Sequence, residues 1–308
     1  MTGGPPGRPG SAPGPAPDLS AWTVGVVGLG TMGGGMAARL ADTGARLRLH
    51  NRTAGRAAGL AGRPRVTEVA TPAEAALGAH LVLVSVADDD ALAEVVTGPE
   101  GVSAADPPLV VNATTVSPEV VRALGERVPL LDAGVLGNGE HARSGQLRWY
   151  VGGDAALLDR ARPVLDALGR QVLHLGPAGT GMALKIALNL LMGIEMQALA
   201  EVAALAEGAG LDRTTTLDAV AESGFAAPVM RYKAARMARR SYDRPDFRLR
   251  LMAKDLALAA AQMDAAGLVL PVTRAAADTH ASAAGTDLAD QDCAAIAEVF
   301  GDPVEAGR

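Results

Sequence analysis

The stretch that decides the fold is Val24-Gly25-Val26-Val27-Gly28-Leu29-Gly30-Thr31-Met32-Gly33. An apolar run leads into a glycine turn of the form G-x-G-x-x-G, and a helical pattern follows. Gly28 permits the tight turn, Gly30 lets the backbone approach a pyrophosphate, and Gly33 lets the helix pack closely on the strand. The positive end of the helix then faces the phosphates, which favours a dinucleotide site over a turn without a ligand. The remaining contacts predicted in this turn are Leu29, Thr31 and Met32.

From this turn to about residue 176, short β-rich runs alternate with helical patterns. The predicted strands are 23–28, 47–50, 81–86, 109–112, 130–132, 149–151 and 172–175, and the predicted helices among them are 32–42, 72–77, 90–96, 118–127 and 155–168. This alternation predicts an α/β fold with a doubly wound, mostly parallel sheet. The strand signal then stops, and the later predicted helices are 179–208, 213–222, 228–240, 250–266, 271–283 and 288–300.

The change of pattern divides the chain into three predicted segments. Residues 1–20 are rich in Pro and Gly and are expected to form a flexible tail. Residues 21–177 are expected to form a dinucleotide-binding domain, and residues 178–308 are expected to form an all-helical domain. The helix over 179–208 would be roughly 45 Å long, so it is expected to link the two domains or to pack against a second subunit.

Composition limits the partners and the location of the protein. The 308 residues include 28 Lys and Arg against 34 Asp and Glu, and this net charge of −6 without a dense basic block argues against nucleic acid or an anionic membrane. Polar residues such as Lys185 and Asn189 interrupt the apolar stretch 182–206, so a buried helix is expected there and no membrane span. The single cysteine, Cys293, fits a reducing cytoplasm, and the histidine spacing predicts no metal site.

The end of the second predicted strand bears on the choice of cofactor. It reads Asn51-Arg52-Thr53, where a site selective for NAD usually has an acidic residue that binds the ribose 2′-hydroxyl. A carboxylate would repel a 2′-phosphate, whereas the guanidinium of Arg52 would bind it with charge-assisted hydrogen bonds. These residues favour NADP(H) over NAD(H). The alternative is that Arg52 is a solvated residue at the start of a helix.

A lysine interrupts the apolar helical stretch. Lys185 and Asn189 are four residues apart in Gly179-Thr180-Gly181-Met182-Ala183-Leu184-Lys185-Ile186-Ala187-Leu188-Asn189, and therefore share a helix face. Burying an ammonium is costly unless its pKa falls or it finds a partner. A lysine pKa lowered from about 10.4 towards neutrality would allow proton exchange with a substrate oxygen. The spacing alone leaves open a lysine at a domain boundary whose ammonium reaches water.

The order of these motifs resembles that of the β-hydroxyacid dehydrogenase family, which includes 3-hydroxyisobutyrate dehydrogenases, tartronate semialdehyde reductases and 6-phosphogluconate dehydrogenase. The similar segments are residues 28–35, 51–53, 112–118, 132–153, 179–189 and 247–256. The resemblance covers nearly all of the chain after the predicted tail. It implies a Rossmann-type domain over residues 21–177 and, joined to it by a long helix, a helical substrate and dimerisation domain over residues 178–308. It also implies a homodimer whose interface lies in the helical half.

The resemblance also implies roles for single residues. Lys185 is similar to the family's general acid/base, and Asn189 to its companion that positions the substrate. Residues 112–118 resemble the family's Ser-Thr-x-x-Pro segment beside the nicotinamide, and Lys254 resembles the lysine of its K-D-L motif near cofactor and substrate. The cofactor contacts implied outside the glycine turn and the second strand are Val86, Thr115 and Lys254.

The predicted substrate loop departs from the family pattern. The family commonly has Asp-x-Pro-Val-Ser-Gly-Gly where this chain has Asp132-Ala133-Gly134-Val135-Leu136-Gly137-Asn138. Leu136 replaces a hydroxyl donor with an alkyl group, and Asn138 adds an amide. Leu136, Gly137 and Asn138 remain the predicted substrate contacts. The departure weakens the case for the usual small β-hydroxy acids, but backbone N–H groups of the loop can still bind an acid. His141 and Arg143 follow in the same loop and are expected to be bystanders; the alternative is that they supply the lost polarity.

The sequence therefore predicts an enzyme in which NADP(H) exchanges hydride with a small carbonyl substrate and Lys185 exchanges the proton. Imine reductases share this architecture and are the main alternative: Leu136 suits a less polar C=N substrate, whereas Lys185 argues against it. A second alternative is a dinucleotide-binding module without catalysis that senses NADPH. One basic cluster is expected to be a solvated face, or else a wall that holds an anionic substrate or the cofactor phosphate: Arg231, Lys233, Arg236, Arg239 and Arg240.

Overall fold

The computed structural model describes residues 17–104 and 108–300. These residues form two compact units: one contains residues 17–104 and 108–114 together with Leu124–Gly176, and the other contains Thr115–Ala123 and residues 177–300. Most of the predicted tail lies outside the described residues. Its end does not: Leu19 is buried, and its N–H donates to the carbonyl oxygen of Thr43 at 2.9 Å. The folded part therefore begins before Ala21.

The N-terminal unit is built on an eight-stranded sheet. Its strands are β1 (Thr23–Val27), β2 (Arg46–His50), β3 (Val66–Glu68), β4 (Leu81–Val84), β5 (Leu109–Asn112), β6 (Leu130–Leu136), β7 (Leu147–Gly152) and β8 (Gly169–Gly176). They lie in the order β3-β2-β1-β4-β5-β6-β7-β8, and all neighbours are parallel except the antiparallel pair β6 and β7. The doubly wound, mostly parallel sheet is thus confirmed.

Helices cover this sheet, as its apolar strands require. The helices of this unit are α1 (Thr31–Asp42), α2 (Pro72–Ala76) and α3 (Asp89–Thr97), followed by α5 (Gly139–Ser144) and α6 (Ala155–Leu168). Between α3 and α5 the chain forms α4 (Pro118–Gly125), most of which belongs to the other unit. The central strands β4 and β5 are buried along their whole length, because an inner parallel strand is covered on both faces. The edge strands β3 and β8 are largely exposed.

Two elements of this unit were not predicted. Strand β3 has only three residues and exists through its pairing with β2, where Val66 lies opposite Leu47. Helix α5 has a single buried side chain, Ala142, so it shows no apolar period. Both depend on tertiary or capping contacts that the periodicity of a short segment does not reveal.

The C-terminal unit is helical, as predicted. Its helices are α7 (Thr180–Gly208), α8 (Arg213–Glu222), α9 (Pro228–Ala238), α10 (Leu249–Ala265) and α11 (Pro271–Ala284). The predicted helix over 288–300 is wrong, because the structure has two 3₁₀ segments there, Asp287–Asp290 and Cys293–Val299. The backbone N–H groups of Asp292 and Cys293 donate to the carbonyl oxygens of Tyr242 and Phe247, and these bonds replace an α-helical pattern.

Three residues of the basic cluster form ion pairs in this unit: Lys233, Arg236 and Arg240, the last of them with Glu298. Lys233 is buried, and its ammonium lies 2.7 Å from Oδ1 of the fully buried Asp292. Arg236 lies 3.0 Å from Asp246. The expectation of a solvated face is therefore wrong for Lys233, because its charge stabilises the interior of the helical unit.

Helix α7 combines great length with an apolar composition. Among the described residues it is the one helix long and apolar enough to cross a membrane by these two criteria, which core helices of soluble proteins also meet. It buries Lys185 and Asn189 on one side and leaves Leu191 and Leu205 exposed on another. Gly193 allows close packing on α10, because a Cβ there would lie 2.8 Å from Cδ2 of Leu256.

Candidate functional site

The three glycines of the β1–α1 turn are required for different reasons. Gly28 has φ +92°, and a Cβ on it would lie 2.0 Å from the carbonyl oxygen of Ser85. A Cβ on Gly33 would lie 1.9 Å from the carbonyl oxygen of Gly28. A Cβ on Gly30, in contrast, would meet no protein atom within 4 Å. Packing therefore explains Gly28 and Gly33, whereas the space beside Gly30 fits a ligand that approaches the backbone.

The start of α1 has the properties of an anion site. Gly30 is the N-cap, it provides no side-chain cap, and the first turn carries no acidic residue. The first N–H groups of a helix lack partners within the helix and attract negative charge. Leu29 is buried, Thr31 is exposed and Met32 is half-buried at this turn. These features fit a dinucleotide whose pyrophosphate is held by backbone N–H groups.

The end of β2 is fastened to the glycine turn. The Oδ1 atom of Asn51 accepts from the backbone N–H of Leu29 at 2.9 Å, and its Nδ2 donates to the carbonyl oxygen of Thr53 at 2.8 Å. Arg52 is exposed, and within the described parts of the chain its guanidinium has no ion pair. Asn51 thus supports the turn, and Arg52 presents a cation beside it.

The predicted contacts after β4 and β5 divide between the two units. In the N-terminal unit, the backbone N–H of Val86 donates to Oγ1 of Thr114 at 3.0 Å, and Thr114 is held in turn by the side chain of Asn112. Val86 therefore lies at the carboxyl end of the sheet, where doubly wound folds bind their ligands. Thr115 belongs to the helical unit, where its carbonyl oxygen accepts from Nζ of Lys254.

The predicted substrate loop is locally ordered by a reciprocal cap. The Oδ1 atom of Asn138 accepts from the backbone N–H groups of Glu140 and His141, and the ring of His141 accepts from the N–H of Asn138. His141 therefore has a structural role that the sequence did not reveal. Leu136 is partly exposed, and Gly137 has φ +144°, a conformation that favours glycine. The amide oxygen of Asn138 therefore accepts hydrogen bonds within the loop. The cap does not use the Nδ2 of Asn138.

The helical unit contains a chain of buried polar contacts. Lys185 is 9% exposed, and its Nζ donates to Oδ1 of Asn189 at 2.9 Å. The Nδ2 of Asn189 donates to Oδ2 of Asp255, on α10, at 2.5 Å. The Oδ1 of Asp255 lies 2.9 Å from Nζ of Lys254. The structure therefore brings together Lys185, Asn189, Lys254 and Thr115, which the sequence had singled out from three separate segments.

Burial changes the pKa of Lys185. Desolvation lowers its pKa, the nearby Asp255 opposes that shift, and the second ammonium of Lys254 adds to it. A lysine whose pKa is brought down from its ordinary range is suited to donate a proton in one protonation state and to accept one in the other. This part of the structure can therefore act as a general acid/base.

Asp255 was not singled out by sequence analysis for a role of its own, although a signal existed. The 28 Lys and Arg residues include only three lysines, Lys185, Lys233 and Lys254. Lys185 and Lys233 are buried, and Lys254 is largely covered. The pKa of lysine shifts on burial, whereas arginine stays charged. In a chain whose other basic residues are arginines, each lysine is therefore a candidate for a role that arginine cannot fill. The acidic neighbour of such a lysine is then a candidate partner.

No metal centre accompanies these groups in the part of the chain that the structure describes. Among those residues, no cluster of three or more His, Cys, Asp or Glu side chains could hold a metal ion.

Comparison with sequence families matches both halves of the chain. Residues 23–176 match the NAD binding domain of 6-phosphogluconate dehydrogenase, and residues 179–300 match the NAD-binding domain of NADP-dependent 3-hydroxyisobutyrate dehydrogenase. The 3-hydroxyisobutyrate dehydrogenase of Pseudomonas aeruginosa is 33% identical over 81% of this chain and 88% of its own length. The chloroplastic glyoxylate/succinic semialdehyde reductase 2 of Arabidopsis thaliana is 28% identical over 92% of this chain and 80% of its own length.

Solved structures show the same relationship. The 3-hydroxyisobutyrate dehydrogenase of Mycobacterium tuberculosis, solved with L-serine, is 29% identical with a TM-score of 0.78 and covers 91% of this chain and 99% of its own. An imine reductase from Streptomyces aurantiacus is 26% identical with a TM-score of 0.57, covering 91% of this chain and 100% of its own. The glycine turn, the sheet order and these matches agree: the chain belongs to the β-hydroxyacid dehydrogenase family of NAD(P)-binding oxidoreductases.

Proposed function

We propose that this protein is an NADP(H)-dependent oxidoreductase that acts on a small β-hydroxy acid or semialdehyde-type carbonyl, with Lys185 as general acid/base. The observation that carries this proposal is the burial of Lys185 against Asn189, which lowers the lysine's pKa while leaving it hydrogen-bonded. A buried ammonium is costly, so a lysine kept in this position needs a role that repays it. Proton exchange with a substrate oxygen is such a role.

The chain's residues divide the work of the reaction between them. Bound NADPH would supply the hydride. In the reductive direction the Lys185 ammonium donates a proton to the carbonyl oxygen as negative charge develops there. In the oxidative direction its neutral amine accepts the hydroxyl proton. Because one hydrogen of Nζ points to Oδ1 of Asn189, that bond fixes the directions of the other Nζ positions.

The substrate class in this proposal rests on the relatives and on the loop after β6. The similar proteins are named as acting on 3-hydroxyisobutyrate, glyoxylate and succinic semialdehyde. In this chain Leu136 presents a partly exposed alkyl side chain in that loop. We therefore expect a carbonyl substrate that is less polar near this loop than glyoxylate, with Leu136, Gly137 and Asn138 as its contacts.

Replacing Lys185 tests the proposed acid/base. The Lys185→Ala and Lys185→Met variants are expected to lose about 10²–10⁴-fold in kcat, which is the usual contribution of general acid–base catalysis. NADPH binding, followed by the fluorescence of the reduced nicotinamide, is expected to stay as in the unchanged protein. The substrates are glyoxylate, succinic semialdehyde and longer semialdehydes. Full turnover by either variant would refute the assignment.

Arg52 tests the proposed preference for NADP(H). Arg52→Ala is expected to raise the KM for NADPH about tenfold or more and to leave the KM for NADH unchanged, because only NADPH carries the 2′-phosphate. The matched control is Arg46→Ala, since Arg46 is an exposed arginine at the start of β2, whereas Arg52 follows the end of that strand. An equal effect on both cofactors, or none, would contradict the preference.

Imine reduction is the second candidate function. The similarity to an imine reductase and the alkyl side chain of Leu136 favour it. Assays of cyclic imines beside the semialdehydes distinguish the two functions. Reduction of C=O is expected to depend on Lys185, so Lys185→Ala should lose turnover of the semialdehydes. Tight NADPH binding without turnover on either panel would instead indicate a cofactor-binding module.

We also propose that the protein is a cytoplasmic homodimer that contacts itself through α7. Leu191 is 56% exposed and Leu205 is 77% exposed on this helix, and exposed apolar surface of this kind is typical of protein interfaces. Leu205→Glu is expected to convert a dimer into a monomer in light scattering at micromolar concentration. A monomer in the unchanged protein would refute the proposal.

A further inference from the structure

Asp255 lies at the centre of the buried polar chain and has no role in the mechanism so far. It is 1% exposed on α10, one residue from Lys254. One carboxylate oxygen accepts from Nδ2 of Asn189, and the other pairs with the ammonium of Lys254. This second contact is an ion pair without hydrogen-bond alignment, since Oδ1 has no hydrogen-bond partner. A buried carboxylate with these two neighbours is fixed in place by both.

The close approach of two helices makes this contact possible. Asn189 is on α7 and Asp255 is on α10, and Gly193 follows Asn189 by one helical turn. A side chain at Gly193 would collide with Leu256, the residue after Asp255. A glycine inside a helix is ordinarily unfavourable, so its presence here is explained by the need to bring α7 and α10 together. The helices therefore hold the amide of Asn189 against the carboxylate of Asp255.

A carboxylate determines which way the neighbouring amide points. Ionised Asp255 accepts hydrogen bonds and cannot donate them, so Asn189 must turn its NH₂ group towards Asp255. The Oδ1 of Asn189 then faces Lys185 and accepts from its Nζ. With any neutral partner that both donates and accepts, the amide could turn over, and an NH₂ group would then face the lysine.

Asp255 also brings negative charge close to Lys185. Within the described residues, the charged groups that act on Lys185 are Asp255 and Lys254, both on α10, and they shift its pKa in opposite directions. The intervening Asn189 keeps the carboxylate from pairing directly with the lysine. A direct ion pair would hold the lysine as an ammonium, whereas this separation allows it to change protonation state.

We infer that Asp255 is a positioning residue for Lys185: through the amide of Asn189 it orients the lysine, and through its negative charge it stabilises the lysine's ammonium form. This inference rests on the proposed function of Lys185. It assigns to the aspartate a role in the reaction without contact with the substrate.

Two variants that move the negative charge in opposite senses test the inference. Asp255→Asn removes the negative charge, so the Lys185 titration is expected to move down by about one pH unit. It also lets the amide of Asn189 turn over, so kcat is expected to fall about tenfold or more. The exchanged pair Asn189→Asp with Asp255→Asn keeps the net charge but puts the carboxylate beside the lysine. Its Lys185 titration is expected to move up instead.

The Lys185 titration is measured in two ways. In the reductive direction, the alkaline limb of the kcat–pH profile follows loss of the ammonium. Independently of turnover, competitive labelling by acetic anhydride across a pH series, read by peptide mass spectrometry, reports each amine. Because the chain has only three lysines, the labelled sites are unambiguous. The matched control is Asp264→Asn, an exposed aspartate on the same helix that pairs with Arg274, and it is expected to leave both readouts unchanged.

The outcomes separate this inference from the proposed function. If Asp255→Asn has the kcat and the Lys185 labelling curve of the unchanged protein, the positioning role is refuted even where Lys185→Ala abolishes turnover. If Asp255→Asn does not fold, the exchanged pair Asn189→Asp with Asp255→Asn decides. A Lys185 titration that moves to lower pH in that double variant, or does not move, refutes the inference. Retained turnover in Lys185→Ala refutes the proposed function, whatever the Asp255 variants do.

Discussion

At Gly30 a methyl group would meet no protein atom within 4 Å, whereas at Gly33 it would lie 1.9 Å from the carbonyl oxygen of Gly28. Glycine is thus required by packing at position 33, whereas at position 30 the space beside it is open. This difference allows cofactor binding to be separated from folding by single substitutions.

Gly30→Ala is expected to weaken cofactor binding without unfolding the protein. Gly30 has φ −68°, which alanine adopts readily, and loss of glycine as an N-cap costs at most about 1 kcal/mol. If the pyrophosphate approaches this backbone, the added methyl should raise the Kd for NADPH about tenfold, or ~1.4 kcal/mol. Fluorescence titration and thermal unfolding measure the two effects.

Gly33→Ala is the matched comparison for that substitution. Because its methyl would collide with backbone, the turn must open, and a loss of roughly 1–3 kcal/mol in the free energy of unfolding is expected. If Gly30→Ala bound NADPH normally, the space beside Gly30 would not be the pyrophosphate site.

At the scale of elements, one buried aspartate fixes the segment that follows α11. Asp292 accepts from Nζ of Lys233 and from the backbone N–H groups of Asp246 and Ala294. It thereby joins α9, the loop before α10 and the last 3₁₀ segment. The adjacent Cys293 is fully buried, and burial raises the pKa of its thiol to about 12.

Lys233→Ala is expected to destabilise the helical unit strongly. Removing one partner of a buried ion pair leaves the Asp292 charge uncompensated, which costs about 3–5 kcal/mol. Alkylation of Cys293, the chain's single cysteine, reports opening of this segment and should become about 100-fold faster, since ~3 kcal/mol changes an opening equilibrium by that factor. Lys185→Ala serves as the contrast, because it removes a buried ammonium with no directly contacting carboxylate. Equal alkylation rates in Lys233→Ala and the unchanged protein would show that the pair is not structural.

The cap of α5 makes a separate prediction about Asn138. Asn138→Ala is expected to cost about 1 kcal/mol of stability, whereas Asn138→Ser retains a good N-cap and should cost much less. Chemical denaturation of the two variants measures the difference. The serine variant also lacks Nδ2, so its KM tests the predicted substrate contact. An unchanged KM would restrict Asn138 to capping.

For the whole molecule, a buried histidine makes stability depend on pH. His280 is fully buried on α11, and its Nδ1 lies 2.9 Å from the carbonyl oxygen of Ala276. Within the described residues its Nε2 has no hydrogen-bond partner. Burial lowers its pKa below the ordinary value of 6.5.

The sign of the pH effect follows from this shift. Below pH 6.5 the unfolded chain binds a proton at His280 that the folded chain does not, so this contribution to stability is complete above pH 6.5 and is lost as the pH falls. The loss is at most about 1.4 kcal/mol per pH unit. Asp18, Glu207 and Asp212, whose pKa values are lowered by hydrogen bonds, add an acid loss only at lower pH.

Removing the histidine tests this prediction. His280→Gln is expected to show a flatter dependence of Tm on pH between about pH 5 and 7 than the unchanged protein. The same substitution at the exposed His80 is the matched control. Parallel curves for the unchanged protein and His280→Gln would contradict the assignment.

The sequence by itself determined the elements that have a local code. The glycine turn predicted the first strand, the first helix and a dinucleotide site, because its conformations are open to few other residues. Apolar runs predicted the inner strands, and periodicity predicted the five long helices of the second unit. The family and the oxidoreductase class followed from the order of such motifs.

Only the tertiary structure decided how side chains from distant segments meet. The contact of Asn189 with Asp255, the ion pair of Lys233 with Asp292 and the 3₁₀ path after Gln291 all join segments far apart in sequence. No local pattern encodes these contacts, because they depend on how closely the helices pack. The charge of a buried lysine is decided in the same way, since its solvation and its neighbours exist only once the chain has folded.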